Sequence, residues 1–157
     1  MLKKVMPIAI NTAGIIIVTI GYMMEWVIVG KNISKYTGID IVITGFKFGF
    51  ISLVAYIFLL LAYFFCFASL SAERKELGSI FTLALGIIGL ILMAVNYIFT
   101  VNLISSLKAD YPEYSSDLKF GIGIGTSLLG AVLQLVSGVM LFIIYKPWVR
   151  EEKKIEV

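Results

Sequence analysis

The chain has 157 residues, of which 60% are hydrophobic and only 15% are charged, whereas a soluble domain is about 45–50% apolar and about 25% charged. This composition excludes an ordinary soluble domain, and the net charge of +3, divided among short loops, gives no indication of nucleic-acid binding. Histidine, the commonest acid/base group at neutral pH, is absent. We therefore expect a membrane protein.

Four apolar segments are long enough to cross a membrane, which takes about 20 residues in a helix. Helix is the expected state, because a lipid-exposed span must satisfy its backbone polar groups internally, and none of the segments alternates like a barrel strand. The segments cover residues 6–24, 48–70, 80–104 and 120–145. The sequence thus predicts an all-α membrane protein, a single domain over residues 1–157 built as an antiparallel bundle of four helices.

The first outer loop, residues 25–47, contains two stretches rich in β-branched residues and separated by polar turn residues. They are Trp26 to Gly30 and Ile39 to Gly45, and they predict a short extracellular β-hairpin between the first two helices. The hairpin is interpreted either as a lid over the bundle or as a docking edge, because a two-stranded ribbon leaves unpaired backbone groups.

Several loop residues are candidates for contacts outside the bundle. Asn32-Ile33-Ser34 fits the N-glycosylation pattern. The second outer loop, residues 105–119, contains Tyr111-Pro112-Glu113-Tyr114, which suits either an interfacial belt or a contact with a partner. The candidate partner contacts are Trp26, Tyr36, Tyr111 and Tyr114, and the candidate glycosylation site is Asn32.

Lysine and arginine are unevenly distributed between the two sides of the predicted bundle. The N-terminus, the turn 71–79 and the tail 146–157 carry eight of them, and the opposite loops carry five. Because basic residues in short loops resist translocation, both ends of the chain are predicted to be cytoplasmic, in a multi-pass protein of the cell membrane.

Small and polar residues repeat at three- and four-residue spacing along the spans, as expected where helices pack in lipid. The mean period of 3.5 predicts a left-handed bundle, in which Asn96 would lie near Ser127 and Gly89 near Gln134. The span amides Asn11, Asn96 and Gln134 are interpreted either as hydrogen-bonding contacts between helices or as the lining of a polar pathway. The predicted packing residues are Gly86, Gly89, Asn96, Gly123, Ser127, Gly130 and Gln134.

Sequence motifs for catalysis are missing, including the P-loop, zinc-type Cys/His spacing and the nucleophile elbow. Gly121-Ile-Gly-Ile-Gly is not a nucleotide loop, because it opens a predicted membrane helix and not a βαβ unit. We expect no enzyme activity and no catalytic, cofactor-binding or metal-binding residues.

The layout has a tryptophan after the first span, a β-ribbon before the second, a short basic inner turn and a glycine-rich fourth span. It resembles small prokaryotic-type tetraspan proteins with a claudin-like organisation, although the paired cysteines and the Trp-Gly-Leu-Trp motif of claudins are absent. The resemblance implies lateral self-association or partner binding in the membrane.

The expected function is that of a non-catalytic structural or accessory subunit in contact with membrane lipid. It would associate laterally as a homo-oligomer or with other membrane subunits. The alternative is an oligomeric pore or small-solute channel, with Asn96 and Gln134 facing water.

Overall fold

A computed structural model describes residues 2–29, 34–43, 49–70, 75–110, 112 and 118–145. Four of its helices are long and apolar enough to cross a membrane, which confirms the four-span layout. The elements in chain order are α1 (Leu2–Met23), β1 (Glu25–Val29), β2 (Ser34–Thr37), α2 (Gly38–Ile43), α3 (Gly49–Ala68), α4 (Lys75–Asp110), β3 (Leu118–Phe120) and α5 (Gly123–Tyr145).

Helix α4 extends beyond the predicted span 80–104 at both ends. Its 36 residues correspond to about 54 Å at a rise of 1.5 Å per residue, well beyond a hydrocarbon layer of about 30 Å. The extensions are polar, with Glu76 in the first turn and Lys108 in the last, and both charges suit the helix dipole. Apolarity marks the part that fits the hydrocarbon, so the predicted loops 71–79 and 105–119 included residues that are helical.

The long helices are arranged with unequal contacts. Helix α5 packs extensively against α1 and α4, and α4 packs extensively against α3, whereas α1 and α3 touch far less. Neighbouring helices run in opposite directions: the hydroxyl of Tyr22, near the end of α1, donates a hydrogen bond to the carbonyl of Ser52, near the start of α3. Three sides of the bundle are therefore closely packed. The fourth, between α1 and α3, is packed less closely and is called the loose side below.

Glycines bring α1 and α5 into backbone contact. A β-carbon placed on Gly130 would lie 2.6 Å from the carbonyl oxygen of Gly14, and one placed on Gly123 would lie 2.6 Å from that of Gly21. A real β-carbon would not fit at either distance without a backbone shift. This approach maximises van der Waals contact where lipid provides no hydrophobic drive for association.

The third and fourth predicted spans are neighbours, as expected: α4 packs against α5, and a β-carbon on Gly86 would lie 3.6 Å from the backbone of Leu135. Two other residues of the predicted stripes have different partners from those expected. The hydroxyl of Ser127 lies against α1, 3.5 Å from the carbonyl oxygen of Val18, and a β-carbon on Gly89 would meet the side chain of Leu59 in α3. A stripe of small residues can face either neighbour of its helix, and its period does not identify which. Helix α5 uses its stripe for α1.

The three strands form an antiparallel sheet in the order β2-β1-β3. The first predicted strand is confirmed. The second is wrong, because Gly38–Ile43 form a helix and β2 precedes it. Strand β3 was missed, and it pairs with β1, with Val27 opposite Phe120. The edge that a hairpin would leave open on β1 is therefore covered.

We expect Gly130→Ala to lower the free energy of unfolding by about 1–3 kcal/mol, because the added methyl overpacks the α1–α5 contact. The matched control is Gly125→Ala in the same helix, where a β-carbon would meet nothing within 4 Å. Unfolding in mixed micelles, followed by circular dichroism, measures both. Equal losses in the two variants would contradict the packing described for Gly130.

Candidate functional site

The end of the bundle that carries the sheet is organised around Trp26. Trp26 is only 1% exposed, and its Nε1–H donates a hydrogen bond of 2.8 Å to the carbonyl of Gly21 in the last turn of α1. The ring lies edge-on to Tyr22, with 5.0 Å between centroids. Trp26 was predicted as a partner contact, but the structure buries it in the protein.

Three glycines in two other segments allow a close approach to this indole and its strand. A β-carbon would come within 2.7 Å of the ring at either Gly38 or Gly123. At Gly121 it would collide with the backbone of Glu25, and the N–H of Gly121 donates a 3.0 Å bond to the carbonyl of Trp26. Gly121 and Gly123 thus allow the segment at the start of α5 to pack closely against the segment that follows α1.

Helix α2 begins with a capping box formed by Thr37 and Asp40. The Asp40 carboxylate accepts a 2.8 Å bond from the backbone N–H of Thr37 and a 2.7 Å bond from its hydroxyl, which in turn accepts from the N–H of Asp40 at 3.1 Å. These bonds stabilise the charged carboxylate, the backbone bond most strongly, and lower the pKa of Asp40. The Thr-x-x-Asp spacing is a helix-start signal that can be recognised in the sequence. Here it outweighs the strand preference of the β-branched residues that follow.

A cavity of about 270 Å³ lies at the loose side of the bundle, between α1, α2 and α3. Thr19, Tyr22 and Met23 line it from α1, and Leu53 and Tyr56 line it from α3. Ile39 and Val42 line it from α2. Sequence patterns gave no sign of this cavity, because it depends on how far apart two helices stand.

The hydroxyl groups around the cavity are already hydrogen bonded. The Thr19 hydroxyl lies 2.8 Å from the carbonyl of Ile15 and 3.1 Å from the Tyr56 hydroxyl. The Tyr22 hydroxyl donates to the carbonyl of Ser52 at 2.7 Å and accepts from the Ser52 hydroxyl at 3.1 Å. These bonds hold α1 to α3 at the floor of the cavity and leave its surface apolar.

The predicted packing amides are buried inside the single chain. Gln134 and Asn11 are fully buried and Asn96 is 2% exposed. The Gln134 side-chain N–H donates to the Asn11 oxygen at 3.5 Å, which joins α5 to α1. Each of the three amides also has one atom without a hydrogen-bond partner, so the amides are not fully satisfied by one another.

The remaining predicted contact residues are placed as follows. Tyr36 is half-buried and packs against the apolar core. Tyr111, Tyr114 and Asn32 lie outside the described residues. Within the described ranges, no group of three His, Cys, Asp or Glu side chains could hold a metal ion.

Removing the Thr37 hydroxyl by Thr37→Val should raise the pKa of Asp40 towards its ordinary value. The pKa should stay below that value, because the Thr37 backbone N–H still donates. As the pH falls through the pKa of folded Asp40, the carboxylate is protonated and its stabilisation of α2 is lost. An NMR titration of the labelled carboxyl carbon measures the pKa.

Thr126→Val is the matched control, because that hydroxyl donates a local hydrogen bond to the carbonyl of Ile122, the residue before α5. An Asp40 pKa that is the same in Thr37→Val and in the unaltered protein would contradict the capping box.

Comparison with known proteins does not assign this arrangement to a family. The chain matches no protein-family model and no curated protein. What the fold shares with tetraspan proteins is the layout of four apolar helices and a small sheet.

Proposed function

We propose that the chain is a non-catalytic membrane protein that acts as a structural or accessory subunit, by lateral association with itself or with a larger membrane complex. The burial of its polar span residues carries this proposal. Asn11, Asn96 and Gln134 face the interior of one bundle, so the polar side chains of the spans serve packing, and the outer surface is left for interaction.

The same burial makes the pore the weaker alternative. A pore formed between copies would need Asn96 and Gln134 on the outside of each bundle, where neighbouring subunits could surround water. Both side chains are instead enclosed by helices of their own chain. A pore within one chain would need to open the α1–α5 contact, in which glycine backbones touch.

One exposed pair of aromatic residues is a better candidate for contact with a protein partner than single exposed apolar residues are. Tyr97 of α4 and Phe120 of β3 are 42% and 43% exposed, and their rings stack with 6.0 Å between centroids. Phe120 also lies on an edge strand, whose backbone groups are open to another chain. We propose that this pair, the Tyr97–Phe120 face, forms part of the association surface.

The membrane placement belongs to the same proposal. The four helices cross the cell membrane as a left-handed bundle with a claudin-like layout. Both chain ends and the α3–α4 connection lie on the cytoplasmic side, and the sheet lies outside, as the distribution of lysine and arginine favours.

This orientation predicts opposite labelling of two exposed lysine positions. Lys119→Cys, on β3, should react with a membrane-impermeant maleimide in intact cells, and Lys75→Cys, at the start of α4, should react only after permeabilisation. Both side chains are exposed, and the native Cys66 is buried, so the unaltered protein controls for background. The reverse labelling pattern would contradict the orientation.

Lateral association predicts particles heavier than one chain when the protein is extracted in mild detergent and weighed intact. The double variant Tyr97→Ala and Phe120→Ala should weaken association by about tenfold or more, as truncation of an interface hot spot does. Ile91→Ala is the control, because Ile91 is a similarly exposed apolar residue of α4.

Two results would overturn the proposal. The first is a single-chain mass from both native membranes and reconstituted vesicles. The second is a steady conductance in planar bilayers that Gln134→Leu abolishes, which would establish the pore.

A further inference from the structure

The cavity at the loose side of the bundle opens onto the surface that faces hydrocarbon in the proposed membrane placement. Three residues of its lining are largely exposed: Met23 at 63%, Ile39 at 41% and Leu53 at 41%. Since they belong to α1, α2 and α3, the opening lies between three elements. The cavity is thus a recess continuous with the lipid-facing surface, and it is not sealed in the core.

The chemistry of the recess excludes a polar occupant. The hydroxyls of Thr19, Tyr22 and Tyr56 are engaged with one another's helices, and the rest of the lining is aliphatic or aromatic. A ligand would find no hydrogen-bonding group in need of a partner. Favourable binding would come from burial of apolar surface alone.

The depth of the recess places it among lipid chains. Helix α1 ends at Met23, and the polar end of the bundle begins close by, where Glu25 pairs with Lys35. Thr19 lies one turn before Met23, about 6 Å along the helix axis. The recess therefore opens in the hydrocarbon layer directly beneath the lipid headgroups of the leaflet next to the sheet.

The size of the recess suits one flexible chain. Its volume of about 270 Å³ lies just below the range of about 300–1,000 Å³ for pockets that hold compact ligands. A helix of a partner protein, about 10 Å across with its side chains, would not enter it. The lining residues Met23, Ile39 and Leu53 are exposed, so a chain can enter from the side of the bundle.

We propose that the recess between α1, α2 and α3 binds one acyl chain of a membrane lipid, which fills the loose side of the bundle. This inference rests on the proposed membrane insertion and is independent of lateral association. The bound chain contacts α1, α2 and α3 together, and so supplies packing that α1 and α3 do not give each other directly.

The test uses the full chain in vesicles of phosphatidylcholine whose acyl chain carries a photoactivatable diazirine. After illumination, peptide mass spectrometry locates the labelled residues. Met23 and Leu53 should carry more label than Ile91 and Ile143, although Ile91 and Ile143 are 56% and 57% exposed on the surface of the bundle. Labelling in proportion to exposure would overturn the proposal.

Two filling variants test whether the chain occupies the recess itself. Val42→Phe and Leu53→Trp place bulk into it from α2 and from α3. Each should lower the label on Met23 by about tenfold, the loss for a chain that buries about two fewer methylenes. Val132→Phe is the control, because Val132 is 42% exposed on α5 and away from the recess. Unchanged labelling of Met23 in folded filling variants would overturn the proposal.

Intact-mass measurement gives a second readout that does not depend on labelling. The unaltered chain and Val132→Phe should retain one phospholipid in mild detergent, and the filling variants should lose it. A recess occupied by a protein partner would give crosslinks to that protein and no retained lipid, which would also overturn the proposal. If Ile91 and Ile143 were unlabelled too, membrane insertion itself would fail, which separates the two inferences.

Discussion

The backbone contact between α1 and α5 is the constraint on which the rest of the arrangement depends. Lipid tails are as apolar as leucine, so helices associate only where their surfaces fit closely, and glycines such as Gly14 and Gly130 allow such a fit in this seam. Once α1 turns its glycines towards α5, less of its surface is available to α3. The loose α1–α3 side and its cavity follow from the close packing of α1 against α5.

The sheet extends the same constraint beyond the helices. Trp26 lies three residues after the end of α1 and donates a hydrogen bond to the Gly21 carbonyl, while Gly123 at the start of α5 lies against its ring. Strand β1 is therefore anchored at the α1–α5 seam, and it holds β2 on one side and β3 on the other. The described parts of both connections at the sheet end of the bundle thus pack around one buried side chain.

Much of the helical layout could be predicted from sequence, because apolar length is a direct requirement of the hydrocarbon layer. The short elements at the sheet end of the bundle were harder to predict, for two physical reasons. The residues after Thr37 are β-branched and favour a strand, but three hydrogen bonds between Thr37 and Asp40 start a helix instead. Strand β3 has three residues and depends on pairing with the distant β1, so no local pattern marks it. The partner of each small-residue stripe is also a property of the assembled bundle.

The buried amides illustrate that a stripe of small and polar residues is visible in the sequence, whereas the role of each residue becomes clear only in the structure. Gln134 and Asn11 bond across the α1–α5 seam at 3.5 Å, yet an atom of each lacks a partner, which makes their net stabilisation small. Their geometric effect is larger, because sliding α5 along α1 would separate both amides from any partner in an apolar environment. We infer that glycines provide close contact in this seam while the amides fix its register.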